Sequence, residues 1–182
     1  MSDTQPQTFF RRVMGAAILD AATYEDVEAD AGATGQAAAV VVLVALAAGV
    51  GDWGHVFAPA TVIRVVTGLV SWLVWASVVV QVGGRILPEP QTRVSWPEML
   101  RTLGFGAAPG LLLVFAGAPA VGGFVVWVAW LWMLVAMVVA VRQALDFQGT
   151  GRAVLVCAVG VLAGLGVAFV LGSLTATVVA GL

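Results

Sequence analysis

Residues 120–141 read AVGGFVVWVAWLWMLVAMVVAV, a run without a single ionisable side chain. A helix of ~20 apolar residues is long enough to cross the ~30 Å hydrocarbon core of a bilayer. Across the whole chain of 182 residues, 61% are hydrophobic and only 10% are charged, whereas an ordinary soluble domain has roughly 25% charged residues. This stretch and this composition together predict a protein that resides in a membrane.

Five segments are apolar enough to be predicted as spans, so we expect an all-α, polytopic transmembrane helical bundle over residues 33–182. Pro109 lies inside the third segment, where it removes a backbone donor and should kink the helix. This segment is short, and if it forms a re-entrant hairpin the count falls to four and the fifth segment inverts. The predicted spans are residues 33–51, 59–83, 102–118, 120–141 and 153–177.

The segment before the first span, residues 1–32, is predicted to be cytoplasmic or interfacial. Residues 9–19 (FFRRVMGAAIL) are too few to span, but their apolar side chains fall on one side of a helix. Arg11 and Arg12 fall on the other side. This pattern predicts an amphipathic helix in the membrane interface, with its arginines near the headgroups. A short helix docked on the bundle remains the alternative.

The acidic stretch that follows, residues 20–30 (DAATYEDVEAD), is predicted to be a solvated helix face, with Asp20 a candidate N-cap. A second helix-start signal precedes the third span. There Ser95 reads as a cap, Pro97 as a first-turn proline and Glu98 as an acid that suits the helix dipole. We therefore expect a short amphipathic helix before the third span.

The positions of the arginines predict an orientation. With the N-terminus in the cytoplasm, seven of the eight arginines fall on the cytoplasmic side, and only Arg64 lies toward the outside. An excess of basic residues is typical of cytoplasmic segments. Five spans then place the C-terminus outside. The absence of lysine and the abundance of alanine, glycine and valine suggest a GC-rich bacterial source, and so a multi-pass protein of the bacterial inner membrane.

The chemistry-bearing residues are few. The chain has one histidine, His55, and one cysteine, Cys157, and it has no glycine-rich phosphate loop followed by lysine. We therefore predict no enzyme activity, no cofactor and no metal site; a catalytic triad built on His55 is the enzyme alternative. A net charge of −2 without a basic patch argues against a nucleic-acid partner.

Three pairs of ionisable residues are candidate polar or contact sites. Arg64 lies within the second span, where a charge is costly, and Asp52 just after the first span is its predicted partner. The pair is either a polar site or a structural ion pair. Glu98 and Arg101, spaced i, i+3, and Arg142 and Asp146, spaced i, i+4, are expected at the cytoplasmic mouth. They either anchor headgroups or a partner, or simply mark the membrane edge.

Glycines and tryptophans suggest how the helices pack. Gly106 and Gly110, four residues apart, are expected to let helices approach closely within the bundle. Trp127, Trp130 and Trp132 cluster in the fourth span, where we expect them to pack between helices; an aromatic wall for a ligand is the alternative.

Three motifs carry a resemblance to a known family. These are TYEDVEAD (residues 23–30), LGFGAAPG (residues 103–110) and WLWMLVAMVVAVRQALDFQGTGRAV (residues 130–154). In this order, they resemble the Yip family of Rab-interacting membrane proteins, in its prokaryotic branch. The resemblance implies a five-helix membrane protein with a cytoplasmic N-terminus and no catalytic residues. Its distinctive motif here comprises Gly104, Phe105, Gly106, Pro109 and Gly110.

Eukaryotic members of that family are implicated in vesicle trafficking and Rab GTPase binding through a longer N-terminal region. Only ~30 residues precede the first span here, so Rab binding is not carried over. We expect a non-enzymatic protein that acts through contacts with membrane lipids, with other membrane proteins or with a second copy of itself. It would organise the membrane or serve as an accessory subunit. The alternative is a small transporter or channel with a polar path near Arg64.

Overall fold

The computed structural model describes the backbone of residues 7–51, 59–93 and 95–180. In these ranges all regular secondary structure is helical, and there is no strand. The all-α prediction is therefore confirmed. A π-helical turn, Val82–Ile86, extends α4, and a 3-10 helix, Ala108–Phe115, follows α5. The α-helices are α1 (Phe9–Ala17), α2 (Ala21–Ala29), α3 (Ala33–Gly51), α4 (Pro59–Gln81), α5 (Trp96–Gly106), α6 (Gly122–Ala144) and α7 (Thr150–Ala180).

Four helical segments of the described chain are long and apolar enough to cross a bilayer: Ala33–Gly51, Thr61–Ile86, Trp96–Phe115 and Gly122–Ala144. A fifth, Thr150–Gly166, is apolar but shorter within the residues searched, and α7 itself continues to Ala180. Together these helices form a bundle with most of its apolar surface turned outward. Such a surface is stable only when lipid surrounds it.

The rod formed by α5 and the 3-10 helix is the centre of the bundle. In the 18-residue apolar window of this segment, Trp96–Phe115, 72% of the residues are buried, against 33% or less in the corresponding windows of the other three candidate spans. Helices α3 and α6 pack on both of its parts. The helix start predicted before the third span is present, but α5 is not a separate amphipathic helix, because it is the first part of the candidate span Trp96–Phe115 and every residue from Met99 to Gly106 is buried.

Proline explains where α5 ends. The ring of Pro109 would clash with the carbonyl of Phe105, four residues earlier, if the α-helix continued. The α-helix stops at Gly106, and the chain tightens into the 3-10 helix that contains Pro109. The predicted disturbance by this proline is therefore a change of helix type within one rod.

The helix N-caps predicted from local sequence are also present. The Asp20 side chain accepts a hydrogen bond from the backbone N–H of Ala22 and so caps α2. Ser95 and Glu98 form a reciprocal capping box at the start of α5, with Pro97 in its first turn. These signals act within a few residues, which is why the sequence alone suffices to predict them.

Helices α1 and α2 form an antiparallel pair, which we call the N-terminal hairpin (Phe9–Ala29). Tyr24 is fully buried, and its hydroxyl donates to the carbonyl of Ala16 at 3.0 Å. The two helices approach so closely that a Cβ at Gly15 would lie 2.1 Å from the Thr23 hydroxyl oxygen. The hairpin packs on α5, α6 and the 3-10 helix.

Candidate functional site: two buried arginines and the N-terminal hairpin

The guanidinium of Arg12 holds three helices together. Arg12 is only 1% exposed, and it makes ion pairs of 2.8 Å to both Asp26 and Asp30. Its third nitrogen donates to the side-chain oxygen of Gln36 in the first turn of α3, at 3.1 Å. A buried charge is stable only when it is paired and hydrogen-bonded. This network therefore fixes the hairpin to the start of the first candidate span.

The expected placement of Arg12 beside lipid headgroups is wrong. The acidic face predicted to be solvated is only partly so, because Asp26 and Asp30 pair with Arg12. The helix period does not separate apolar from basic residues in α1 as predicted, because Arg12 is buried together with Val13 whereas Arg11 is exposed. The carboxylates of Asp26 and Asp30 attract the arginine inward. The outward face of α1 is apolar except for Arg11, with Phe10 71%, Met14 48% and Ile18 67% exposed.

Arg101 makes the second attachment. It lies on α5, is 6% exposed, and donates through Nε to the carbonyl of Val27 at 3.0 Å and of Glu28 at 3.2 Å. One terminal nitrogen also donates to the Glu28 carbonyl. These carbonyls belong to the last turn of α2, where intrahelical partners run out and the helix dipole favours a cation. Arg101 thus caps the hairpin from the central rod.

Glu28, which the sequence reasoning did not single out, lies half-buried among other acids beside this cap. Burial is the main cause that raises its pKa to about 7, and the nearby carboxylates of Glu98, Asp146 and Glu25 raise it further, while Arg101 opposes the shift. Arg12, by contrast, holds the pKa of Asp30 below its usual range through a hydrogen bond. The two carboxylates therefore respond to different ranges of pH.

We expect docking of the hairpin to weaken as the pH rises from 6 to 8. Between its ordinary pKa of 4.5 and about 7, Glu28 holds a proton in the docked hairpin that it would lose in a released, solvated one. Stability therefore falls with rising pH in that window. Asp30 contributes stability that disappears only near pH 4 and below, because its pKa is lowered. Hydrogen exchange of the α2 amides, corrected for the intrinsic pH dependence, measures the effect.

Glu28→Gln is the matched variant for this prediction. It should protect α2 equally at pH 6 and pH 8, and protect it better than the wild-type protein at pH 8. Wild-type protection that does not change between pH 6 and pH 8 would contradict the assignment of this titration to Glu28.

Arg142 and Asp146 do not share a helix face, which corrects the prediction from their spacing. Helix α6 ends at Ala144, and Asp146 has a left-handed backbone, with φ of 52°. The N–H of Phe147 donates to the carbonyl of Arg142, and the N–H of Asp146 to that of Gln143, both at 3.0 Å. This is a Schellman end. The Arg142 side chain donates to the Phe147 carbonyl at 3.4 Å.

The residues predicted to cluster at the cytoplasmic mouth therefore have separate partners. Glu98 serves as a cap, and Arg101 binds carbonyls of α2. A separate contact joins the start of α7 to the loop before α5, because Arg152 lies 3.5 Å from Glu89 and donates to the Pro88 carbonyl at 2.9 Å. Glu89 also accepts from the backbone N–H of Gln148, which lowers its pKa.

Arg64 is half-buried on α4 and donates to the carbonyl of Ala48 on α3 at 3.4 Å, among other interactions. Its predicted partner Asp52 lies outside the described residues, as does His55. The polar site predicted between the first two spans therefore remains a prediction. Cys157 is buried within α7, as its apolar surroundings in the sequence indicate.

The motif of residues 103–110 forms the tightest helix contacts of the central rod. A Cβ at Gly104 would lie 2.7 Å from the Cβ of Ala37 and 3.0 Å from its carbonyl oxygen, so α3 and α5 touch through their backbones. Phe105 is fully buried, and its ring centre lies 6.4 Å from that of Phe9 on α1. The motif thus joins the hairpin and the first span to the rod.

The other two glycines of the motif face neighbouring helices. A Cβ at Gly106 would lie 3.2 Å from the sulfur of Met137 on α6, and one at Gly110 would lie 2.6 Å from a methyl of Val44 on α3. The prediction that Gly106 and Gly110 make contacts within the bundle is confirmed. Small residues permit such close approach in lipid, where burial of apolar surface gives no driving force.

The tryptophans of α6 point outward, so the expectation that they pack between helices is wrong. Trp127 is 77% exposed, Trp130 55% and Trp132 40%. Trp132 nevertheless donates from its indole N–H to the carbonyl of Ala17, the last residue of α1, at 2.7 Å. The hairpin is therefore also fastened to the middle of α6.

The residues that sequence reasoning missed as partners are Arg12, Glu28, Gln36 and Glu89. One available signal is charge balance: a basic helix, an acidic helix and a glutamine at the start of an apolar segment follow each other within 30 residues. That signal indicates attraction, but it does not specify which charges become buried.

The helical bundle, its outward apolar surface and its internally paired charges define a polytopic helical membrane protein. The family model of the Yip1 domain matches residues 4–171. Because this match covers most of the chain, the protein belongs to the Yip1 domain family. Neither a curated protein nor a solved structure matches it.

Proposed function

We propose that this protein organises its membrane as a wedge, with the N-terminal hairpin embedded in one leaflet. One observation carries the proposal: α1 turns Arg12 inward to Asp26 and Asp30, and turns large apolar side chains outward beside the exposed Arg11. An amphipathic helix with an exposed apolar face lies in the membrane interface. Here the helix is attached to the transmembrane bundle, so its position is fixed.

The depth of the hairpin supports a wedge. Trp132, which binds the end of α1, lies about 15–18 Å from either end of α6 at 1.5 Å per residue. Arg12 reaches Gln36 at the start of α3. The hairpin therefore lies beside one half of the spans and widens the protein in that leaflet alone. A protein that is wider in one leaflet favours curved bilayers.

We place the widened half in the cytoplasmic leaflet of a bacterial inner membrane, with the N-terminus inside and the C-terminus outside. The orientation rests on the distribution of the arginines. The bacterial source rests on the composition, which lacks lysine and is rich in alanine, glycine and valine. Protease access to a tag at Leu182, from outside the cell, checks it. Such a wedge is non-enzymatic; it acts on lipids directly, or assembles with other membrane proteins or further copies of itself.

Replacing Phe10, Met14 and Ile18 together by serine should abolish the wedge. Each large apolar side chain contributes roughly 1.5–3 kcal/mol of burial, so the outward face of α1 would no longer favour lipid. Vesicles reconstituted with the wild-type protein should be smaller than protein-free vesicles in electron cryomicroscopy, and vesicles with the triple-serine variant should not. Replacement of the same residues by leucine is the control and should preserve the effect. Equal diameters for wild type and triple-serine variant contradict the proposal.

A further inference from the structure

A groove on the outer surface of the bundle, remote from the hairpin, has the features of a lipid site. It lies between α4 and α7 and has a volume of about 450 Å³. Leu73, Val74 and Val78 of α4 and Val159 of α7 form its apolar walls. In a bilayer such a groove faces hydrocarbon, so an acyl chain fills it.

The polar groups of this groove lie along one half of it, from its middle to the end next to the π-helical segment. Ser77 and Gln81 line it, and the exposed indole of Trp96 donates to the Ser77 hydroxyl at 3.1 Å. Arg85 follows Gln81 by one turn, in the π-helical segment Val82–Ile86, and is exposed. Trp and Arg together are typical of the headgroup level.

Charge complementarity selects the headgroup. Arg85 makes no ion pair with any of the residues that the structure describes, whereas the neighbouring Arg152 is engaged by Glu89 at 3.5 Å. Basic positions between transmembrane helices on the cytoplasmic side attract anionic headgroups.

The length of the groove agrees with one leaflet. From Leu73 to Gln81 the helix rises about 12 Å at 1.5 Å per residue, and half of a ~30 Å hydrocarbon core is about 15 Å. The geometry points to a binding site for an anionic phospholipid, with an acyl chain between α4 and α7 and the phosphate at Arg85. This inference goes beyond the wedge and rests on other elements.

Native mass spectrometry of the full chain in mild detergent tests it, with phosphatidylglycerol and phosphatidylcholine of the same acyl chains as probes. The wild-type protein should retain phosphatidylglycerol about fivefold better, as expected for one basic residue at the headgroup. Arg85→Gln should abolish this preference. Arg11→Gln, which changes an exposed arginine on the hairpin, is the control and should preserve it.

Filling the groove tests the acyl chain. Leu73→Phe or Val159→Phe, from opposite walls, should remove the retained lipid while leaving the helical content unchanged. Should either variant fail to fold, a photoactivatable phosphatidylglycerol that crosslinks to Val78 in the wild-type protein provides the same information. Crosslinking confined to other residues overturns the site.

Three further results would overturn the inference. The first is an equal loss of headgroup preference in Arg85→Gln and Arg11→Gln. The second is unchanged lipid retention in both filled variants. The third is a dimer without bound lipid that the filled variants dissociate, since a second copy would then cover the groove. The lipid-binding proposal is tested by lipid retention and the wedge proposal by vesicle diameter. Failure of one proposal is therefore distinguishable from failure of the other.

Discussion

Removing both carboxylates that hold Arg12 is expected to detach the N-terminal hairpin. In the Asp26→Asn, Asp30→Asn protein, a guanidinium that is 1% exposed keeps only Gln36 as a neutral partner. Breaking a buried ion pair from one side costs about 3–5 kcal/mol. We expect the lower end, because the two carboxylates are 27% and 38% exposed. Trypsin should then cleave rapidly after Arg12, which the wild-type fold protects.

Two variants give this experiment its controls. Glu25→Gln removes an exposed acid from the same helix and should change the cleavage rate little, since exposed charges contribute about 0–1 kcal/mol. Adding Arg12→Met to the double variant removes the cleavage site, so hydrogen exchange of the α2 amides is the readout for this variant. Exchange should be as slow as in the wild-type protein, because an apolar replacement for a buried ion network is often neutral or stabilising. If the double variant is cleaved no faster than Glu25→Gln, Arg12 does not fasten the hairpin.

A methyl group at Gly104 is expected to separate α3 from α5. In Gly104→Ala the new Cβ would lie 2.7 Å from the Cβ of Ala37 and 3.0 Å from a backbone oxygen, which cannot rotate away. Overpacking of this kind costs about 1–3 kcal/mol. Thermal unfolding in detergent should show a lower midpoint. Part of the loss should return when Ala37→Gly is added, because this removes the methyl group that the new one meets.

Gly35→Ala is the matched control for this prediction. Gly35 lies in α3, near Ala37, and a Cβ there meets no atom within 4 Å. Alanine should therefore stabilise the helix, by up to about 1 kcal/mol. A similar change in the unfolding midpoint for Gly35→Ala and Gly104→Ala would show that the close contact between α3 and α5 is unimportant.

Comparison of individual residues shows where sequence reasoning succeeded. The caps at Asp20 and Ser95 and the end of α5 before Pro109 depend on atoms within four residues, so local pattern suffices. The tight contacts of Gly106 and Gly110 were predicted from spacing alone. In each case the signal lies in residues that are close together in the chain, even where the contact itself is with another helix.

Predictions about partners succeeded less often. Arg142 and Asp146 have helical spacing, but α6 ends at Ala144 between them, and Asp146 itself has a left-handed backbone. Arg12 was expected in the headgroup region and instead is buried, because two carboxylates from the next helix are more favourable partners than water or lipid phosphate. The pairing of charges depends on which helices meet, and no local pattern contains that information.

The amino-acid sequence by itself determined the solvent, the helical class and most helix ends, since hydrophobicity, length and capping act along the chain. Only the tertiary structure decided which face of α1 is turned outward, which arginines are buried, and how Glu28 acquires a pKa of about 7. The physical reason is that a buried charge needs several partners at once, and here they come from different helices.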